Sequence, residues 1–337
     1  MASPGAYEVD PRACIRCAAC ATVAPENFSV RAGPAKVRRN PTHAFEGLAC
    51  EAARVLCPTQ AIAVAEASAA VDLPAALAPT DLYSPVMEVA EAVRWKVEEM
   101  PWASFDKLKA TPGLRAVVRE MAYSEQTTFS ATQRFMEAFG DDTDFSQWIS
   151  VWFYEETRHP LVLLKWLALA GEAPGKDFVI QGRASAPLMK SQTGTLVTNI
   201  ISEMVAAHAY LQMVGGAPEP LITRLVERIS ADEARHGASF FTYARRIIAT
   251  SAQPERERLE ALKVLHFWFN ASKSVNHPVN EAMDRLKALL PAVGAPPFVA
   301  PYDRIAQIIG MLTSLPIQNA ADIGPQMMAQ TRRVHAV

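Results

Sequence analysis

Residues 152–159 read Trp-Phe-Tyr-Glu-Glu-Thr-Arg-His, and residues 229–236 read Ile-Ser-Ala-Asp-Glu-Ala-Arg-His. Each stretch holds a Glu-x-x-His motif: Glu156 with His159, and Glu233 with His236. Spacing i, i+3 puts both side chains of a motif on one face of a helix. The surrounding residues are helical in pattern. One segment, from Ser146 as N-cap to Gly171, aligns Ile149, Trp152, Phe153, Glu156, His159 and Leu163. Another, from about Pro220 to Ile248, aligns Val226, Ile229, Glu233, His236 and Phe240.

Two more amphipathic helices precede these, one before each. The first spans about Leu114 to Phe139, with Val118, Met121, Ala122, Glu125, Phe129 and Met136 on one face. The other spans about Thr195 to Val214, ends in Gly215-Gly216, and aligns Leu196, Ile200, Glu203, Ala207 and Tyr210. Each apolar stripe thus has a carboxylate at its centre. One Glu from each of two helices plus Glu-x-x-His from each of the other two is the ligand set of a ferritin-like bundle that holds a metal pair. The intervals agree. Glu125 and Glu156 stand 31 residues apart, Glu203 and Glu233 30, and Glu156 and Glu203 47, as two equal hairpins joined by a longer crossover require. Unpaired buried carboxylates cost several kcal/mol each. Two divalent ions would neutralise four of them, and mixed oxygen and imidazole donors suit iron or manganese better than zinc or copper.

The five cysteines all lie in the first sixth of the chain: Cys14, Cys17, Cys20, Cys50 and Cys57. Cys14-x2-Cys17-x2-Cys20 with a distant Cys57-Pro58 is the thiolate pattern that wraps one [4Fe–4S] cubane. In two-cluster ferredoxins a further cysteine follows after three intervening residues; here that position is Ala24, before Pro25, so a second cluster cannot be built. Zinc favours two paired Cys-x2-Cys knuckles, and only half of that pattern exists. Cys50 reads as a free buried thiol.

Outside these motifs the chain is ordinary. It has 337 residues, 50% hydrophobic and 20% charged, with a formal net charge of -2, which gives no reason to expect nucleic acid as partner. The opening MASPGAYEVD lacks an apolar signal core and no run is long enough to span a bilayer, so the expectation is a soluble cytoplasmic protein. Two domains and a linker are expected: residues 1–64, with strands at 7–9 and 61–64 and a helix from Glu46 to Leu56; a linker over 65–85, rich in Ala and Pro; and an all-helical domain over 86–337. Residues 254–290 suggest one or two further helices, and the chain after about Ile323 gives little signal. His43, His208, His266, His277 and His335 match no ligand pattern, and the basic run Arg31, Lys36, Arg38 and Arg39 reads as a solvated turn.

Two resemblances extend this reading. Residues 1–64 resemble bacterial single-cluster ferredoxins through Asp10-Pro11, the cysteine motif, Ala24-Pro25-Glu26-Asn27-Phe28 and Cys57-Pro58-Thr59-Gln60-Ala61-Ile62. Residues 110–248 resemble the soluble acyl-carrier-protein desaturases through Trp148, Trp152, Glu155 to His159, Leu163-Leu164, Gly171 and Ile229 to His236. The second resemblance implies an O2-activating di-iron oxidase whose irons are ligated by Glu125, Glu156, His159, Glu203, Glu233 and His236. Asp232 would orient the His159 ring, and Arg158 and Arg235 would brace the carboxylates. It also implies a homodimer. With the cluster in the same chain, the expected partners are an external ferredoxin reductase feeding the cluster, O2, and a small-molecule or carrier-bound substrate to be desaturated, hydroxylated or N-oxygenated. A rubrerythrin-like peroxide or oxygen reductase and a ferroxidase are the alternatives. The family has Gly after the second-helix His where this chain has Pro160, which predicts a kink just past His159.

Overall fold

The computed structural model describes residues 5–31, 33–65, 73–75, 78–183, 191–270 and 278–336. Much of the expected linker, residues 66–72 and 76–77, lies outside the described residues, as does His277. The chain is mostly helical, with a small strand-containing region at its N-terminus.

That region is built from short elements. β1 (Tyr7–Val9) is followed by α1 (Ala19–Val23), β2 (Phe28–Ser29), β3 (Lys36–Val37), α2 (Ala44–Leu56) and β4 (Ile62–Val64). β1 pairs antiparallel with β4, Glu8 opposite Ala63, and β2 pairs antiparallel with β3. The outer strands and α2 match the sequence expectation; α1, β2 and β3 are too short to leave a periodic pattern. Tyr7 and Phe28, in edge-to-face contact at 6.2 Å, anchor a core otherwise made of Ala, Val, Ile and Cys. α2 stops at Cys57, where Pro58 follows.

Helices fill the rest: α3 (Tyr83–Val93), α4 (Pro112–Ser124), α5 (Thr128–Ala138), α6 (Thr143–Glu156), α7 (Arg158–Leu169), α8 (Lys176–Gly182), α9 (Gln192–Gly216), α10 (Pro220–Thr250), α11 (Pro254–Asn270), α12 (Pro278–Leu289), α13 (Tyr302–Thr313) and α14 (Ala320–Ala336). α3 begins inside the expected linker, and α14 occupies the end, where the pattern carries little signal. α9 and α10 form the longest pairing, α4 packs on α7, and α5 on α6. α11 to α14 flank α9, α4 and one another. The N-terminal region lies against α10 through α1 and α2, and against α13 through α2.

The first two expected helices are each interrupted at a candidate ligand. Between α4 and α5 the residues Glu125–Thr127 form a 3-10 turn. Its tighter winding advances the helical phase by about 60° over three residues. The buried positions beyond it therefore become Phe135 and Phe139, while Met136, expected inside, is 47% exposed. Between α6 and α7 the break falls at Thr157, ahead of His159 rather than past it. Pro160 explains the shift: it has no N–H for the Glu156 carbonyl one turn earlier. α6 is also capped earlier than expected, by Asp142, whose Oδ1 accepts from the Phe145 amide at 3.0 Å; Ser146 instead donates to the Phe139 carbonyl. α10 starts on Pro220, with Glu219 accepting from the amides of Leu221 and Ile222 and from the Trp166 indole at 2.7 Å.

Candidate metal and cluster sites

The four cysteines of the Cys14/Cys17/Cys20/Cys57 pattern line one small pocket with Ile15, Ala18, Ala35, Thr59 and Ile62. Cys14 is half-buried and the other three are buried. The wrap demands a special backbone: Arg16, Ala18 and Gln60 all have left-handed φ of 54–67° without being glycine, a strain that persists where surrounding structure enforces it. The turns aim main-chain donors at sulfur, Ala35 N–H to Cys14 Sγ and Ala61 N–H to Cys57 Sγ, both at 3.3 Å. Burial and the neighbouring Cys57 push the Cys17 thiol up to about 12, and burial with the Cys17 charge pushes Cys20 up as well. Converging thiols that repel each other's ionisation fit a cationic iron–sulfur core, which takes the thiolate form. Cys50 is buried in α2 outside this pocket, and burial raises it to about 12, which favours its protonated thiol.

The second site lies between α4 to α7 on one side and α9 and α10 on the other. Glu125 comes from the 3-10 turn, Glu156 from the end of α6, His159 from α7, Glu203 from α9, and Glu233 and His236 from α10. All are buried, with His159 wholly inaccessible. Their ligand atoms fall into two overlapping groups, each within 4.8 Å: Glu125, Glu156, His159 and Glu233, and Glu156, Glu203, Glu233 and His236. Glu156 and Glu233 belong to both groups. His159 Nδ1 lies 3.5 Å from Glu125 and 3.3 Å from Glu233; His236 Nδ1 lies 2.8 Å from Glu156 and 3.9 Å from Glu203. Gly237 permits this closeness, because a Cβ there would stand 3.3 Å from the Cβ of Glu203.

Neither histidine Nδ1 has a hydrogen-bond partner, nor does Glu156 Oε1, although all three are buried. Their other ring nitrogens are occupied. His159 Nε2 is 3.2 Å from Asp232, and His236 Nε2 is 3.0 Å from Glu155. A ring whose Nε2–H donates to a carboxylate keeps its Nδ1 lone pair pointing inward, the arrangement found at metal-ligating histidines. Burial and the charge of Glu233 push Glu125 up to about 7 and Glu203 well above its ordinary range. Burial opposes the charged form of Glu155 too, but Arg235 and His236 hold it down to about 2. Six buried carboxylates face two buried guanidiniums here, Arg158 and Arg235, which leaves four carboxylates that two divalent cations would neutralise when ionised. A third arginine, Arg94, reaches Glu155 at 3.9 Å but is matched by Glu91. Orphaned inward donor atoms and uncompensated charge together fit a pair of metal ions.

The six candidate ligands named from sequence are thus brought together, and Asp232 stands on the far side of His159. The arginines sit one layer further out than expected. Arg235 binds Glu155 and Asp232, each at 2.8 Å, and Arg158 binds Asp232 at 3.2 Å. Sequence reasoning passed over Glu155 as an orienting group. Its signal was present, since an acid precedes the motif glutamate in both stretches, and each acid serves the histidine of the opposite helix. It also missed three donors that hold ligand carboxylates: the Tyr210 hydroxyl on Glu125, Thr128 on Glu156 at 3.0 Å, and the Trp152 indole on Glu203 at 3.3 Å. These come from helix faces whose neighbours the periodicity does not reveal.

Residues 9–64 match the family described as the 4Fe-4S single cluster domain of Ferredoxin I. The chain therefore carries a single-cluster ferredoxin domain at its N-terminus, and with it an electron-transfer function. A search of curated proteins returns no match to the chain. Among the described residues no helix is long and apolar enough to cross a membrane.

Proposed function

We propose that the chain is an O2-activating di-iron oxidase of ferritin-like architecture, with residues 1–64 as a built-in electron donor and the helices from Tyr83 onward as the oxidase. The observation that carries this reading is the pair of overlapping ligand groups that share Glu156 and Glu233. Two irons would be held by Glu125, His159, Glu203 and His236 individually and by Glu156 and Glu233 jointly. Such a pair, once reduced, supplies oxygen activation, and the cluster at Cys14, Cys17, Cys20 and Cys57 supplies single electrons.

The chain's own residues do the rest. Asp232 and Glu155 fix both imidazole rings so that Nδ1 faces the pocket. Tyr210, Thr128 and Trp152 hold carboxylate oxygens in place. Phe135, Trp148, Trp152 and Phe240 pack edge-to-face at one end of the pocket and exclude water there. Joining donor and acceptor in one chain raises their effective concentration, which favours a step that needs two successive electrons. The desaturase-like motifs, the crossover between Glu156 and Glu203 and the helices α11 to α14 support an organic substrate, desaturated, hydroxylated or N-oxygenated, over a scavenging role.

The test is metal analysis and Mössbauer spectroscopy of protein reconstituted with ferrous iron, followed by oxygen-uptake assays. The expected result is a cluster plus an antiferromagnetically coupled iron pair, with uptake stimulated by an organic substrate. Rapid peroxide reduction with no organic co-substrate would instead identify a scavenger, and iron binding confined to the cysteines would overturn the proposal.

A further inference from the structure

The ferredoxin region packs on α10 beside the helical pocket, and one buried side chain there hydrogen-bonds to both. Arg235 lies on α10 between Glu233 and His236 and is 2% exposed. Its Nη1 donates to the main-chain carbonyl of Cys17 at 3.3 Å. Its Nη2 donates to Glu155 Oε2 and to Asp232 Oδ1, each at 2.8 Å. Glu155 Oε2 is in turn 3.0 Å from His236 Nε2, and Asp232 Oδ2 is 3.2 Å from His159 Nε2. A single guanidinium therefore stands between the cysteine loop and both histidines.

A second arginine also ties the two regions. Arg304 on α13 donates to the carbonyls of Val55 and Cys57, at 2.7 and 2.6 Å. Among the described residues Arg304 has no hydrogen bond or ion pair to the six candidate ligands of the helical pocket or to Glu155 and Asp232 behind them. The two arginines thus separate two jobs: Arg304 seats the ferredoxin region, whereas Arg235 also connects it onward.

We propose that Arg235 is the electronic bridge from the cluster to the iron pair, branching through Glu155 to His236 and through Asp232 to His159. This rests on the reading that the two pockets hold a cluster and an iron pair. In each passage one electron leaves the reduced cluster, which is oxidised by one, and reaches a ferric ion, which becomes ferrous. No bond of the chain forms or breaks. A one-electron protein reductant restores the cluster, and a second passage completes the pair. Electronic coupling falls steeply with each gap between atoms, and contacts of 2.8 to 3.3 Å keep every gap on this route at hydrogen-bond length. Arginine suits the position because its planar charge makes several directed hydrogen bonds at once and is never lost.

The experiment compares wild type with Arg235→Lys, Glu155→Gln and Arg304→Gln, each reconstituted with excess ferrous iron and then oxidised. Dithionite reduces the cluster anaerobically, and stopped-flow absorbance follows its reoxidation as the electron moves on. Metal analysis and electron paramagnetic resonance verify the cluster and the iron content. With iron content unchanged, transfer should slow about tenfold or more in Arg235→Lys and measurably in Glu155→Gln, in line with perturbing a group behind a metal ligand, while Arg304→Gln keeps the wild-type rate. Wild-type rates in both Arg235→Lys and Glu155→Gln would overturn the assignment. So would equal slowing in Arg304→Gln, which would make docking the whole effect. Loss of the bundle iron from Arg235→Lys would make it a brace only and would also overturn it. If wild type binds no iron outside the cysteines, the failure is instead that of the proposed function.

Discussion

The cysteine pocket is assembled within residues 14–62 from turns, one short helix and the end of another, whereas the carboxylate pocket gathers side chains from residue 125 to residue 236 on five separate elements. The first is shaped by the main chain: left-handed residues at Arg16, Ala18 and Gln60, and amide donors on sulfur. The second is shaped by side chains that hold one another across helices, with an acid on each motif helix serving the histidine of the other. A pocket of the first kind is local, so damage to it stays local. A pocket of the second kind is shared, so one side chain can serve both metal positions.

The sharpest way to break this contrast is to remove one ligand from each pocket. Glu233→Ala deletes a carboxylate common to both candidate groups, so the bundle iron is expected to fall from two per chain to none, with reductase-driven turnover abolished and the cluster spectrum intact. Cys17→Ser should give the mirror image: no cluster, no reductase-driven turnover, and a full complement of bundle iron. Metal analysis beside electron paramagnetic resonance reads both. Loss of both metals from either variant would mean that the pockets are not independent.

A second contrast lies within the helices. Phe135 is fully buried, touching Phe139, Phe145, Trp152 and Phe240, while its neighbour Met136 is exposed. Phe135→Ala should cost about 3–5 kcal/mol in urea unfolding, and Met136→Ala no more than about 0.5 kcal/mol. The reverse order would restore the uninterrupted helix that the sequence suggests and remove the 3-10 turn at Glu125.

That pair of residues marks the limit of what could be read from the chain alone. Spacing singles out candidate ligands because metal chemistry would impose a fixed local separation: i, i+3 for Glu156 with His159, and two intervening residues between successive cysteines. Stripe periodicity then finds Glu125 and Glu203 at the centres of their helices. It fails past Glu125, because a regular period cannot anticipate a local change of winding, and again at α13 and α14, which the sequence reading did not recognise. The partners Glu155, Tyr210, Thr128 and Trp152 are tertiary facts. Each side chain touches a helix other than its own, and only Glu155 leaves a trace, through the repeated acid before each motif.

The outer acids offer a finer comparison, because they lie behind the metal position rather than in it. Asp232 accepts from the Trp95 indole at 2.8 Å and from both Arg158 and Arg235 while facing His159. Asp232→Asn keeps its shape but removes the charge that fixes the ring. Ferrous affinity of the bundle should fall about 10- to 100-fold, as for other groups that orient a metal-bound histidine. Competition against a chelator measures it. An unchanged affinity would show that packing alone orients His159.

The smallest effect belongs to the loop-built region. Glu46, in the first turn of α2, accepts from Arg39 Nη1 at 2.8 Å and from the Thr42 amide at 2.7 Å. The bond to Arg39 holds its carboxyl down at about 2. A carboxyl lowered in the folded state stabilises above its unfolded value, near pH 4.5, and loses that contribution as pH falls towards 2. The pair stands at the surface, with Arg39 41% exposed, so screening keeps the cost of Glu46→Gln to about 1 kcal/mol or less. Urea unfolding should show the full cost at pH 7 and a smaller one at pH 4. An equal cost at both would assign the contribution to the hydrogen bonds of Thr42 rather than to charge, and would leave the N-terminal region held almost wholly by its main chain.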